Sequence, residues 1–370
     1  MENNHNAKRA LSKSLRSILQ SGIDAGVPGV SAAIATSKGI IWRNSAGFAV
    51  LEKNILDNDS TVFGIGSITK AFVAVVILQL IEESQLNMSD KISEHLNQEY
   101  LDGIGNANDA TIADLLSHTA GVESWEDDPN WITEAKGEKL DPKIIWDKKD
   151  TLKYVRRPSR FETPRFSYSN TNYTLLGLIV EKIVGHSAES EICRRILDPL
   201  NLMDTFLEEF EQAGPRKNNM PNRYDYATDE FRNTAGSNLS VEWVAGGMIS
   251  STCDLLKFAI YLRDGKLFSP SSMDLLKIWQ PATESTEIGH GIFRFGKSRT
   301  QTNWLGHNGS VLGFTGSLWW NEEIDCIVCV LANVRSTHAG KVSSSAPQIA
   351  FQSELLEVAK ELTNIAVEYE

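Results

Sequence analysis

Cysteine is scarce in this chain. Four residues, Cys193, Cys253, Cys326 and Cys329, serve 370 positions, too few for a disulfide framework at this length. Long apolar runs are missing as well, so no membrane span is expected. The N-terminus, MENNHNAKRALSKSLRSILQSGIDAG, has no continuous apolar core of the kind a secretory signal needs. A cytoplasmic location is the expectation. Basic excess is also absent: 36 Lys and Arg face 48 Asp and Glu, for a net charge of -12. That balance disfavours nucleic acid and anionic membrane surfaces as partners. There is no internal repeat, no low-complexity tract and no Gly/Ser linker. No H-E-x-x-H and no second C-x-x-C occur, so neither a metal nor another cofactor is expected. The one C-x-x-C, Cys326 and Cys329, lies in DCIVCVLAN, which reads as a buried strand. Residues three apart in a strand point to opposite faces, so core packing is expected, with redox or metal use as the alternative.

What is present is a large apolar fraction, 41% of residues, ample for two or three structural units. Leu11, Leu15, Ile18 and Leu19 recur at helical spacing within residues 6–22. GVPGVSAAIATSKGIIWRNSAGFAV then reads as two strands joined at Ser37, Lys38 and Gly39. From about Ser67 to Trp279 the pattern is mainly helical. Near the end, GSVLGFTGSLWWNEEIDCIVCVLAN gives strands again, broken at Asn321, Glu322 and Glu323. The final twenty residues form an amphipathic helix with Leu355, Val358, Leu362 and Ile365 on one stripe. Strands at both ends and helices between them predict an α/β unit made of residues 1–64 and 288–370, carrying an antiparallel sheet flanked by terminal helices. A mainly helical unit, residues 65–287, is inserted in it, and a site between such units is expected.

Three short stretches carry chemistry. In GIGSITKAF, Ser67 precedes Lys70 by three residues, and a helix apolar nearly all round follows, from Ala71 to Ile81. Positions i and i+3 share a helix face, so the lysine can reach the serine hydroxyl. Burial would push Lys70 towards the neutral amine, which can accept a proton, and the helix N-terminus favours an oxyanion. Alone, the pattern also fits an N-cap serine beside a lysine. In FSYSNTNYTLLGLIVEKIVG, Tyr168 can shuttle a proton if nearby cations lower its pKa, and Asn170 can orient a lysine or a substrate amide. An N-cap at Asn170 or Thr171 with a packing tyrosine is the alternative. In WLGHNGSVLGFTGSLWW, His307 and Gly309 open a strand. Gly309 would let substrate approach closely, and the Ser310 N–H would be a second oxyanion donor beside that of Ser67; a glycine-rich strand edge with a surface histidine is the alternative.

Taken in order, S-x-x-K, Y-S-N and H-x-G resemble the motif set of the serine β-lactamase and penicillin-binding-protein superfamily, whose sibling pattern carries S-D-N and K-T-G in the later places. Tyrosine at the head of the second motif and histidine in the third are similar to the class C-like branch and its esterases, transesterases and D-amino-acid peptidases. IADLLSHTAGV, VAGGMISSTCDLLKFAIYLRDG and VCVLAN extend the resemblance over about Val27 to Asn333. It implies a β-lactamase/transpeptidase-like fold with the site in the cleft between its units. It also implies a Ser67 acyl-enzyme, with Lys70 and Tyr168 sharing proton transfer. Asn170 would hold Lys70, and the N–H groups of Ser67 and Ser310 would hold the oxyanion. His307 would supply polar or partly cationic character.

The function expected is hydrolysis or acyl transfer on a small ester, thioester or amide. The partners are then a small-molecule acyl donor and, for transfer, an acceptor. A β-lactamase or D-alanyl-D-alanine peptidase is the first alternative, and a non-catalytic binding or scaffold member the second. A neutral His307 would attract a substrate carboxylate less than lysine does, so neutral esters should outpace penicillins and cephalosporins. Gly121 to Asp150 is rich in acids and tryptophan. Trp125, Trp131 and Trp146 could line an acyl pocket there or pack a long surface loop. Trp319 and Trp320 alternate faces, so at most one can face the cleft.

Overall fold

The structure is a computed structural model. It describes residues 2–58, 60–136, 141, 143–159, 165–211, 219–226, 232–233, 236–295, 303–336, 342 and 344–367. Its centre is a nine-stranded antiparallel sheet. The strands are β1 (Gly29–Thr36), β2 (Gly39–Val50), β3 (Ile55–Leu56), β4 (Gln280–Thr283), β5 (Thr286–Ile288), β6 (Phe293–Phe295), β7 (Trp304–Val311), β8 (Phe314–Asn321) and β9 (Cys326–Ala332). Their order across the sheet is β3-β2-β1-β9-β8-β7-β6-β5-β4. The first and last stretches of the chain therefore meet at the β1–β9 seam, where Val30 pairs with Ala332 and Ala35 with Ile327. The hairpin expected at Ser37 to Gly39 forms, with Gly39 at a φ of 129°, a conformation that favours glycine. The second run of sheet strands starts at Gln280, ahead of the boundary of 288 drawn from the sequence, because the short polar strands β4 and β5 carry little apolar alternation to announce them.

Period-two alternation sorts the sheet residues to two faces. On β9, Cys326, Val328, Val330 and Ala332 face the back, where they pack with α1 (Glu2–Asp24), α5 (Ala346–Gln352) and α6 (Leu355–Val367). Leu15 and Leu19 of α1 and Leu355, Leu356 and Leu362 of α6 supply the covering stripes. Ile327, Cys329 and Leu331 face the front and join a continuous core with the helices of the middle segment. These include α2 (Thr69–Glu82), α3 (Asn170–Val184) and α4 (Thr252–Arg263). The two cysteines of the C-x-x-C thus sit in different cores, both fully buried. Burial pushes the Cys326 thiol up to about 12, so core packing is what they do.

Helix α2 is buried along almost its whole length, as its all-round apolar sequence predicts. Phe72 stacks on Phe258 of α4 with ring centroids 3.8 Å apart. Helix α3 ends at Gly185, whose φ of 74° and N–H to the Glu181 carbonyl form a left-handed C-cap. Among the described residues no helix is long and apolar enough to cross a membrane.

Candidate active site

Ser67 sits in a single 3-10 turn, Gly66–Ile68, that runs directly into α2. Gly66 adopts a φ of 53°. A Cβ there would lie 2.6 Å from the backbone N of Ser310, so only glycine lets the turn press against β7. Gly309 answers from the other side: a Cβ on it would lie 1.8 Å from the Ile65 carbonyl oxygen. The space expected for a substrate backbone at Gly309 is therefore taken by the Gly66–Ile68 turn itself. The Ser310 N–H is brought to the same turn as the Ser67 N–H.

Lys70 is fully buried. Its Nζ lies 3.0 Å from Ser67 Oγ, 2.7 Å from Asn170 Oδ1 and 2.6 Å from the Ala245 carbonyl. Burial drives its pKa from 10.5 down to about 7, against the opposing pull of Glu242 and Glu126. The hydrogen-bond pattern suits the neutral amine. Asn170 Oδ1 and the Ala245 carbonyl can only accept, so they take the two N–H groups and leave the lone pair for the Ser67 hydroxyl. Asn170 is held in that orientation because its Nδ2 donates to Glu126 Oε2 at 2.7 Å.

The Tyr168 hydroxyl is buried and makes no formed hydrogen bond. Burial raises its pKa well above 10, and the nearby Ser67 pulls it only partly back. This reverses the expectation that cations would lower it, because desolvation of a phenolate dominates and the charges of Glu126 and Glu242 add to it. Tyr168 is therefore a neutral O–H donor. His307 is likewise neutral: burial, then the Lys70 charge, lowers its pKa to about 3. Its Nδ1 pairs with the Asn308 carbonyl, which can only accept, so the proton is on Nδ1 and Nε2 is a bare acceptor, buried without a partner. The partly cationic character expected of His307 is absent.

Three residues outside the S-x-x-K, Y-S-N and H-x-G stretches complete the site. His118 stacks on Tyr168 with centroids 4.2 Å apart. Its Nδ1 accepts the Ser169 N–H at 3.1 Å, and its carbonyl accepts the Ser167 N–H at 2.8 Å. It thereby clamps the loop that carries the tyrosine. Glu126 accepts from Arg335 at 2.8 Å as well as from Asn170. Glu242 Oε2 would lie 3.2 Å from a Cβ on Gly246, next to the Ala245 carbonyl that holds Lys70. The LLSHTAGV stretch was a usable signal for His118. Glu126 and Glu242 had none, since each reaches the lysine from a different loop.

A cleft of about 570 Å³ opens on Ser67 and is bordered by Glu126, Tyr168, His307, Ser310 and Arg335. Among the described residues no tryptophan lines it. Trp125 and Trp131 are fully buried, with centroids 4.8 Å apart, and Trp146 packs on Tyr154. The acyl-pocket role considered for these three is replaced by core packing for Trp125 and Trp131 and by a half-buried place against that core for Trp146. The stretch reaches the cleft through Glu126 instead. Trp319 and Trp320 are both buried, one on each face of β8.

Comparison with known proteins agrees with this architecture. The family model described as Beta-lactamase matches residues 15–346. Protein flp of Staphylococcus aureus (strain MRSA252) is 26% identical over 329 residues, which cover 85% of this chain and 61% of that protein. The chain therefore spans about three-fifths of that relative's length. Among solved structures, a D-stereospecific amidohydrolase from Streptomyces sp. superposes with a TM-score of 0.81 at 23% identity, covering 94% of this chain and 98% of the other. The D-amino acid amidase from Ochrobactrum anthropi SV3 gives 0.81 at 21% identity, covering 95% and 99%. Those likenesses establish a β-lactamase/transpeptidase fold, and with the family match over most of its length, the chain belongs to the beta-lactamase family of the serine β-lactamase and penicillin-binding-protein superfamily.

Proposed function

We propose that the protein is a serine hydrolase or acyltransferase that works through a Ser67 acyl-enzyme on a small ester, thioester or amide. The observation that carries this reading is a fully buried lysine with a pKa of about 7 and its Nζ 3.0 Å from a serine hydroxyl at a helix N-terminus. A buried lysine is costly unless it is used. Here it is set up as a base at neutral pH.

In the proposed cycle, Ser67 Oγ attacks the substrate carbonyl as its proton passes to the Lys70 amine. The N–H groups of Ser67 and Ser310 hold the tetrahedral oxyanion. As the intermediate collapses, the neutral Tyr168 hydroxyl gives its proton to the leaving oxygen, nitrogen or sulfur, and the Lys70 ammonium restores it. Water or an acceptor alcohol or amine then attacks the ester to Ser67, with the same groups moving protons in reverse. Asn170 keeps the amine lone pair on the serine, and His118 keeps the tyrosine in place.

Neutral donors fit the His307 end of this cleft best. His307 offers an acceptor rather than a cation, while Arg335 gives one nitrogen to Glu126 and, among the described residues, keeps Nε and Nη1 buried without a partner. A carboxylate next to the scissile bond would lack the fixed positive charge that lysine supplies in the sibling motif. The amide arm of the proposal draws on the likeness to D-amino acid amidase. Intact-mass spectrometry tests the reading with p-nitrophenyl esters, acyl thioesters, D-phenylalanine amide and penicillin G, run beside Ser67→Ala. A covalent adduct lost in the variant is expected, formed faster with esters than with penicillin G. Adducts that persist in Ser67→Ala would refute the nucleophile, and penicillin G loading as fast as the esters would refute the specificity.

A further inference from the structure

A second cavity of about 570 Å³ lies far from Ser67, between α1, β2 and α6, and none of its lining residues borders the catalytic cleft. Its floor is apolar: Ile41, Trp42 and Leu362. Trp42 is only 8% exposed, and its indole N–H donates to Ser12 Oγ at 3.1 Å, which fixes the ring in the groove. The rim is cationic. Lys8, Arg9, Lys13 and Arg16 line it from α1, and all four are exposed. Among the described residues none of the four has an ion-pair partner, and α1 holds no Asp or Glu between Glu2 and Asp24. This is a concentrated positive wall on a chain of net charge -12.

We infer that this groove binds a free, single-chain amphiphilic anion, with a carboxylate or phosphate head held by the α1 cations and an apolar tail on Trp42, Ile41 and Leu362. Each half of the groove asks for one half of that ligand. Unpaired cations clustered on the rim attract an anion, and a recessed apolar floor gains from covering by apolar surface. A bilayer does not fit the same geometry. Membrane-docking helices push an apolar face outward, whereas the apolar stripe of α1, at Leu15 and Leu19, is buried against the sheet and Trp42 lies below the rim.

Titration calorimetry of the full chain tests the site with decyl phosphate and decanoate below their micelle concentrations. Decyl maltoside serves as the uncharged control, and vesicles of anionic phospholipid as the bilayer control. Saturable one-to-one binding of both anions is expected. The Lys13→Glu/Arg16→Glu double variant should weaken it at least tenfold, as should raised salt, while ester turnover at Ser67 stays at the parent rate. The four cations are solvent-exposed, so the variant should keep its circular dichroism and melting temperature. Binding that survives in the variant would place the anion elsewhere, including the Ser67 cleft, and overturn the inference. Equal binding of decyl maltoside, binding to vesicles alone, or no saturable heat would each overturn it as well.

Discussion

Behind the sheet, desolvation raises the Cys326 thiol to about 12 and makes it inert. In front of it, desolvation lowers the Lys70 ammonium to about 7 and makes it a base. The cause is the same and the outcome opposite, because burial always favours the uncharged form. For a thiol the uncharged form is the unreactive one, and for an amine it is the reactive one. Strand β7 shows the same contrast in neighbouring residues. Asn308 turns its Oδ1 to the back, where Ser317 and Trp319 donate to it at 2.9 and 2.8 Å. His307 turns to the front and keeps a buried acceptor nitrogen without a partner. On one face the polar atom is satisfied, and on the other it is left without a partner.

The sharpest way to break this contrast is Lys70→Met, which keeps the volume and removes the base. Stopped-flow acylation with p-nitrophenyl acetate should slow by about 10³-fold or more, within the range for losing a general base. A rate within tenfold of the parent would show that Lys70 is only a packed lysine. Next in size is Gly309→Ala. The added methyl would drive into the Ile65 carbonyl, so β7 and the nucleophile turn must separate. A stability loss of about 1–3 kcal/mol is expected from such overpacking. Acylation should fall by about 10²-fold as the Ser310 and Ser67 N–H groups lose alignment. Unchanged acylation with lowered stability would mean that the turn tolerates the shift and that the glycine serves packing alone.

Much of this face was legible in the sequence, and the parts that were not share a physical reason. Ser67 and Lys70 are readable because i and i+3 on a helix must meet. Tyr168 and Asn170 are readable because they sit at a helix start. The end-and-middle arrangement of strands and helices placed the sheet, and the apolar runs of β8 and β9 placed its centre. Glu126 and Glu242 escaped because they approach Lys70 from loops 56 and 172 residues away along the chain (126 − 70 and 242 − 70), with no period to link them. The ionisation of Tyr168 and His307 escaped for a related reason. Residue type says which charges are available, while the sign of a pKa shift depends on how dry the folded site is. Tryptophan misled because its bulk suits a pocket wall and a core equally, and only the fold decides.

The acidic limb of the pH profile sharpens the electrostatic half of the comparison. Lys70 must be neutral to accept the Ser67 proton, so kcat/KM should rise with pH through about 7, following the amine pKa. Glu242 holds that pKa up by stabilising the ammonium. Glu242→Gln removes the negative charge, so the amine loses its proton more readily and the limb should move to lower pH. A limb that stays in place, or moves upward, would show that Glu242 does not sense the lysine.

The smallest effect should come from the back. Cys326→Ala removes a sulfur that is 0% exposed and packed among Val328, Trp319 and α6. Its cost should be that of a small cavity, about 1 kcal/mol, seen as a lower midpoint in urea. Acylation at Ser67 should match the parent across the whole pH range, because Cys326 lies across the sheet from Lys70 and stays uncharged around neutral pH. An altered acidic limb in this variant would mean that packing behind the sheet sets how dry the front is. The two faces would then be one electrostatic unit, and the division of labour between them would fail at its smallest test.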